Sequence, residues 1–159
     1  MTTVTFVAKS STRSVNWNDP TIWSTGVVPN DPALDVVIPT ITQNISGNPI
    51  YSSTISQTAS YSIGSLEISN NTLTNSNNPL QVAHAFNVLV GGFVMLGGTL
   101  TAGSVHNAGQ LSVGNLNSSG PVVNEGSLSG SISAPSLTNS GTLSSTGSTV
   151  TVSPGGFTI

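Results

Sequence analysis

The chain contains no cysteine, and of its 159 residues only 2 are Lys or Arg and 5 are Asp or Glu. The first absence removes disulfides and thiolate metal sites. The second leaves a charged fraction of 4%, against roughly one quarter in ordinary soluble domains. Two cations, Lys9 and Arg13, cannot neutralise a phosphate backbone, so nucleic-acid binding is excluded as a function. Long apolar runs are also missing. The longest candidate, Val88 to Leu100, is interrupted by four glycines, so membrane insertion through a helix is not expected. The first 30 residues lack a cationic stretch followed by an apolar one, and no secretory signal is expected there. Good helix formers are scarce, and no window keeps apolar residues at i, i+3, i+4 and i+7.

What the chain has instead is 27 Ser, 20 Thr, 16 Asn and 17 Gly. Short apolar runs of strand type, such as Val36-Val37-Ile38 and Val88 to Val90, are bounded by Gly, Asn or Pro, the pattern of many short strands joined by tight turns. A repeat organises the second half. Gly92, Gly109, Gly126, Gly141 and Gly156 are spaced by 17, 17, 15 and 15 residues, and three of them close an Asn-x-Gly triplet beginning at Asn107, Asn124 and Asn139. With these glycines aligned, three apolar columns come into register: Val94, Leu111, Leu128 and Leu143; Leu100, Leu116 and Ile132; Val105, Val122, Leu137 and Val152.

A repeat this short cannot bury its apolar side chains alone, but stacked coils of three short strands can. The expected fold is therefore all-β: a short β-solenoid (β-helix) with coils of 15–17 residues, about five of them over residues 66–159, and an N-terminal β cap or small β module over residues 1–65. The Asn-x-Gly corners are expected to bend through positive φ, which both residue types accept. Ser and Thr suit the outward strand positions. No polar cap is visible after the last coil, so that end is expected to be covered by a partner subunit or to remain an assembly surface.

The stretch Val15-Asn16-Trp17, then Trp23 to Pro29, then Asp35-Val36-Val37-Ile38 resembles the opening of bacterial surface β-helix proteins of the repeat-adhesin type. Similar solenoids build phage tail spikes, fibres and decoration proteins. The resemblance implies a surface-attached, non-enzymatic protein. The missing signal and the few coils move the expectation toward a virion surface component, with a bacterial cell-surface or secreted adhesin fragment or carbohydrate-binding module as the alternative.

Chemistry is sparse. Solenoid enzymes that cut polysaccharides need converging carboxylates and cations, whereas from residue 68 onward Glu125 is the one carboxylate and no Lys or Arg occurs. Glu125 falls on the repeated corner where Ala108 and Ser140 are its counterparts, and reads as a solvated turn residue. His84 and His106 have no nucleophile motif or acidic neighbour in sequence and read as structural. Asp19, Asp31 and Asp35 form the one cluster of acidic oxygen ligands and are weak calcium candidates; the alternative is that Asp19-Pro20 and Asp31-Pro32 start turns. Trp17, Trp23, Tyr51 and Tyr61 are candidates for an attachment or glycan-contact platform, the alternative being a small aromatic core. No catalytic residue and no cofactor are expected. The expected partners are further copies of the chain, as a homotrimer joined through Phe86, Phe93 and Phe157, together with other virion or cell-surface proteins and glycans.

Overall fold

The computed structural model describes residues 2–7, 14–41, 43–45, 48–50, 53–144, 149–153 and 156–158. They form a parallel β-solenoid of about five turns, with a single helical turn at Pro20–Ile22. Each coil contributes to three faces. The first face stacks β1 (Thr2–Thr5), β3 (Leu34–Ile38), β8 (Ser65–Ile68), the end of β10 (Leu80–Val88), the end of β11 (Phe93–Asn107), β13 (Val122–Asn124), β15 (Leu137–Asn139) and β18 (Phe157–Thr158).

The second face stacks β2 (Ser14–Asn16), β6 (Thr54–Gln57), β9 (Thr72–Asn75), the start of β11, then β12 (Gln110–Ser118), β14 (Ser127–Ala134) and β16 (Thr142–Ser144). The third holds β7 (Tyr61–Ile63), the start of β10, the middle of β11, the ends of β12 and β14, and β17 (Val150–Val152). A separate antiparallel pair, β4 (Gln43–Ile45) with β5 (Asn48–Ile50), stands outside the stack. Because β3 pairs directly with β8, the ladder crosses residue 65 without interruption.

Parallel hydrogen bonding holds neighbouring coils about 4.8 Å apart and places equivalent residues above one another. The result is columns of stacked side chains inside. One runs Val15, Ile55, Leu73, Val94, Leu111, Leu128, Leu143. Another runs Tyr61, Leu80, Leu100, Leu116, Ile132, Val150. On the first face Val4, Val36, Leu66, Phe86, Val105, Val122 and Leu137 stack and are all buried.

Three expected placements need correction here. Val152 does not follow Leu137: it pairs with Ala134 on the third face, and Phe157 takes the place above Leu137. Longer connections in the last coil shift the register, since four positions separate Leu128 from Ile132 but seven separate Leu143 from Val150. Gly156 therefore precedes its first-face rung and is not the counterpart of Gly141. Phe86 is not an outward residue either, being fully buried in the first-face column.

The corner glycines are required for a different reason than expected. Among the described residues positive φ occurs at Gly26, Gly91, Gly130 and Asn70, and not at the Asn-x-Gly corners. There the glycines stack on one another. A Cβ on Gly109 would lie 2.4 Å from the Gly92 carbonyl oxygen, one on Gly126 2.0 Å from that of Gly109, and one on Gly141 2.1 Å from that of Gly126. Only hydrogen fits where coil backbones meet this closely.

The asparagines turn inward. Asn107 and Asn124 are fully buried and extend a column whose earlier members are Ile38, Ile68 and Val88. The Asn107 Nδ2 donates to Asn124 Oδ1 at 2.7 Å and to the Ser127 carbonyl at 2.9 Å. Asn124 Nδ2 in turn donates to Asn139 Oδ1 at 2.6 Å and to the Thr142 carbonyl at 3.0 Å. The ladder has a direction, with each amide donating toward the next coil. Its acceptor end, Asn107 Oδ1, is buried without a partner, because the residue stacked before it is Val88.

Two substitutions test this construction by equilibrium denaturation. Gly126→Ala forces a carbon against the Gly109 carbonyl and is expected to cost about 2–4 kcal/mol. Asn124→Ala cuts the amide ladder at its middle and is expected to cost about 2–3 kcal/mol, more than Asn139→Ala at the half-exposed ladder end.

Candidate functional site

The first end of the stack is closed by residues 17–29. Asp19 caps the helical turn by accepting from the Thr21 amide, which turns the chain back along β1. Ser24 N then donates to the Thr5 carbonyl and Val7 N to the Ile22 carbonyl, so the outer edge of the first rung is paired at its Thr5–Val7 end. Trp23 lies over this edge, edge-on to Phe6 with ring centroids 6.1 Å apart. Trp17 sits 4.7 Å from Trp23 and 5.3 Å from Tyr61. Both indole N–H groups are satisfied, Trp17 Nε1 donating to the Pro29 carbonyl and Trp23 Nε1 to the Trp17 carbonyl.

This grouping corrects the reading of the aromatics as a contact platform. Trp17, Trp23 and Tyr61 are 0%, 3% and 5% exposed, so no ligand ring can stack on them; Tyr51 lies outside the described residues. They are the aromatic core of the closed end, with polar tips tied to nearby backbone and side chains. Tyr61 is part of the third-face column, and its hydroxyl donates to Asn18 Oδ1.

The three aspartates do not converge on a calcium site. Asp19 is engaged with Thr21, and Asp31 Oδ1 accepts from the Ala33 amide to start the turn into β3. Asp35 stands in β3 beside Gly64, with Oδ1 buried and without a hydrogen-bond partner. Among the described residues no three His, Asp or Glu side chains come together as metal ligands. Two turn starters and one strand residue account for them.

A contact that sequence spacing hides is His106 Nε2 to Glu125 Oε2 at 3.2 Å, with both side chains about half exposed. Glu125 occupies the corner position of Ala108 and Ser140, and the amides of Ala108, Glu125 and Ser140 donate to the carbonyls of Val88, Asn107 and Asn124, the residues just before the equivalent corner one coil earlier. His106 lies on the outer column between Asn87 and Val123. Stacking brings residues 19 apart in sequence to adjacent rungs, which linear inspection does not reveal. The pair lies on the outside of the stack, where such a solvated contact contributes little.

On the second face the two outward columns are polar, Ser and Thr with Asn16 and Gln110, except at β11, where Phe93 stands between Thr72 and Gln110 and Met95 between Thr74 and Ser112. Met95 is 45% exposed. At the far end, β16, β17 and β18 each pair on one side among the described residues, and Phe157 is 47% exposed.

Comparison with protein-family models, with curated proteins and with solved structures found no match for this chain. The class of protein is thus defined by its architecture, a short parallel β-solenoid closed at one end by tryptophans.

Burial pushes the Tyr61 phenol above its usual value, because the folded state disfavours the charged form. A raised value in the fold means that this contribution to stability is intact below about pH 10 and is lost as pH rises through the folded-state value. Tyr61→Phe is expected to flatten the fall in unfolding free energy above about pH 10. Urea titrations of both proteins across the alkaline range check this.

Proposed function

We propose that this chain is a non-enzymatic structural component of an external assembly, a virion decoration, spike or fibre protein that acts through shape and attachment. The observation that carries the reading is the uninterrupted parallel ladder, a stiff stack whose outer faces are mostly hydroxyl and amide. Among the described residues the ionisable side chains that meet are His106 and Glu125, on an open outer column. That arrangement offers no converging acid, base and charge-stabilising groups around one bond.

Self-association fits the same reading. Phe93 and Met95 form an apolar spot on an otherwise polar sheet face, and in a homotrimer the second faces pack around it. The low charge leaves little repulsion between copies, since the whole chain carries a formal charge of −3. Sedimentation equilibrium is expected to give a trimer, and Phe93→Ser with Met95→Lys a folded monomer. A wild-type monomer at every concentration overturns the assembly. Immunogold electron microscopy of virions and cells from the source culture then locates the protein; label on cell walls and not on particles overturns the virion assignment.

A further inference from the structure

We propose that the outward surface of the third face is a binding groove for an uncharged linear polysaccharide, a site independent of the trimer contact on the second face. Its central column is Ser62, Gln81, Thr101, Asn117, Ser133 and Thr151, stacked rung on rung. At about 4.8 Å per rung these six span roughly 24 Å. A second column two residues earlier in each strand repeats the chemistry with Thr99, Asn115 and Ser131, and Thr149 follows, its amide donating to Ser131 Oγ. Successive coils therefore present Thr-x-Thr, Asn-x-Asn, Ser-x-Ser and Thr-x-Thr.

Three features give this surface its ligand class. First, every position of both columns can both donate and accept. Among the described residues the six central side chains make no hydrogen bonds to one another, in contrast to the inward Asn107, Asn124 and Asn139, which are linked. Second, the surface is hollowed. One depression of about 130 Å³ lies where the short Ser131 and Ser133 sit between the longer asparagines of β12 and Thr149 and Thr151 at β17. Two more, of about 290 and 170 Å³, meet at Ser62 and Gln81 toward the closed end.

Third, no Asp, Glu, Lys, Arg or His side chain lines any of the three, and Tyr61, at the edge of one, is buried. A charged ligand would lose hydration there without a countercharge, and a protein partner would find no exposed aromatic or arginine anchor of the kind that carries protein interfaces. A neutral chain of hydroxyls loses only water hydrogen bonds and regains them from the amides and hydroxyls. The periodic columns suit a ligand that repeats along its own axis. The other faces differ: the second is interrupted by Phe93 and Met95, and the first carries Glu67 and His106.

The test is native affinity electrophoresis of the full chain through gels containing laminarin, dextran, galactomannan or hydroxyethyl cellulose, with alginate as the anionic control. Retardation by at least one neutral polymer, and none by alginate, is expected. The triple variant Gln81→Ala, Asn117→Ala, Thr151→Ala is expected to weaken that binding about tenfold or more with an unchanged unfolding midpoint. The single Asn117→Asp, which places a charge in the groove without removing packing, is expected to weaken it as well. A second-face triple, Ser112→Ala, Ser129→Ala, Thr142→Ala, is expected to bind as wild type. Retardation by no neutral polymer, or by alginate alone, overturns the proposal, as does loss of binding in the second-face variant only. Thermal hysteresis of ice without polymer retardation would assign the array to ice and overturn it too.

Discussion

Everything in this molecule follows from the distance between coils. Parallel backbone hydrogen bonds set it at about 4.8 Å, and each position must then tolerate a near-copy of itself directly above and below. Inside, that demand selects stacked aliphatics, since like shapes pack without voids. At the corner where the first face turns into the second, carbonyl oxygens come within the space a side chain would need, and the stack of Gly92, Gly109, Gly126 and Gly141 answers it. Where polar side chains enter the core, self-stacking becomes an advantage. An asparagine can donate to the copy above it and accept from the copy below, which an isolated buried amide cannot do.

The same spacing governs the outside. A charged residue repeated on every rung would face like charges at close range, and a stack with few charges avoids that repulsion. Hydroxyls and carboxamides keep the surface hydrated while bearing no net charge. The scarcity of ionisable residues is in this sense a property of the architecture before it is one of function. It also means that the solenoid's surfaces differ from one another mainly in side-chain length and in isolated apolar substitutions such as Phe93 and Met95.

The periodic glycines made the stack and its all-β character legible in the sequence, and two of the three expected apolar columns match the register of the fold. Their physical reason was not legible. A glycine at a corner serves positive φ or serves a missing Cβ, and sequence spacing is the same in both cases; only the coordinates show that Gly109 and Gly126 need the second. The asparagines misled in the same way, as turn formers on paper and core residues in the fold. Rungs before residue 65 were hidden because Val4, Val36 and Leu66 belong to one column but are separated by long excursions that break the period. Those excursions carry the tryptophans, whose burial depends on how residues 17–29 fold back over β1. The third-face array was available in the repeated x-Leu-x and x-Ile-x triplets, but it meant nothing until register placed the triplets over one another.

The amide ladder has one further implication, concerning the length of the rod. Its unpaired oxygen sits at the junction with Val88, where the column changes from aliphatic to amide. A whole coil duplicated on the amide side, carrying its own asparagine and corner glycine, would add a rung and leave the number of orphaned oxygens unchanged. An aliphatic coil duplicated on the other side would do the same. An asparagine-bearing coil inserted between Ile68 and Val88 would instead strand a donor and an acceptor together. Growth and shortening by complete coils are thus permitted on either side of the junction so long as the order of the two segments is kept, and the junction moves as a unit with its neighbours.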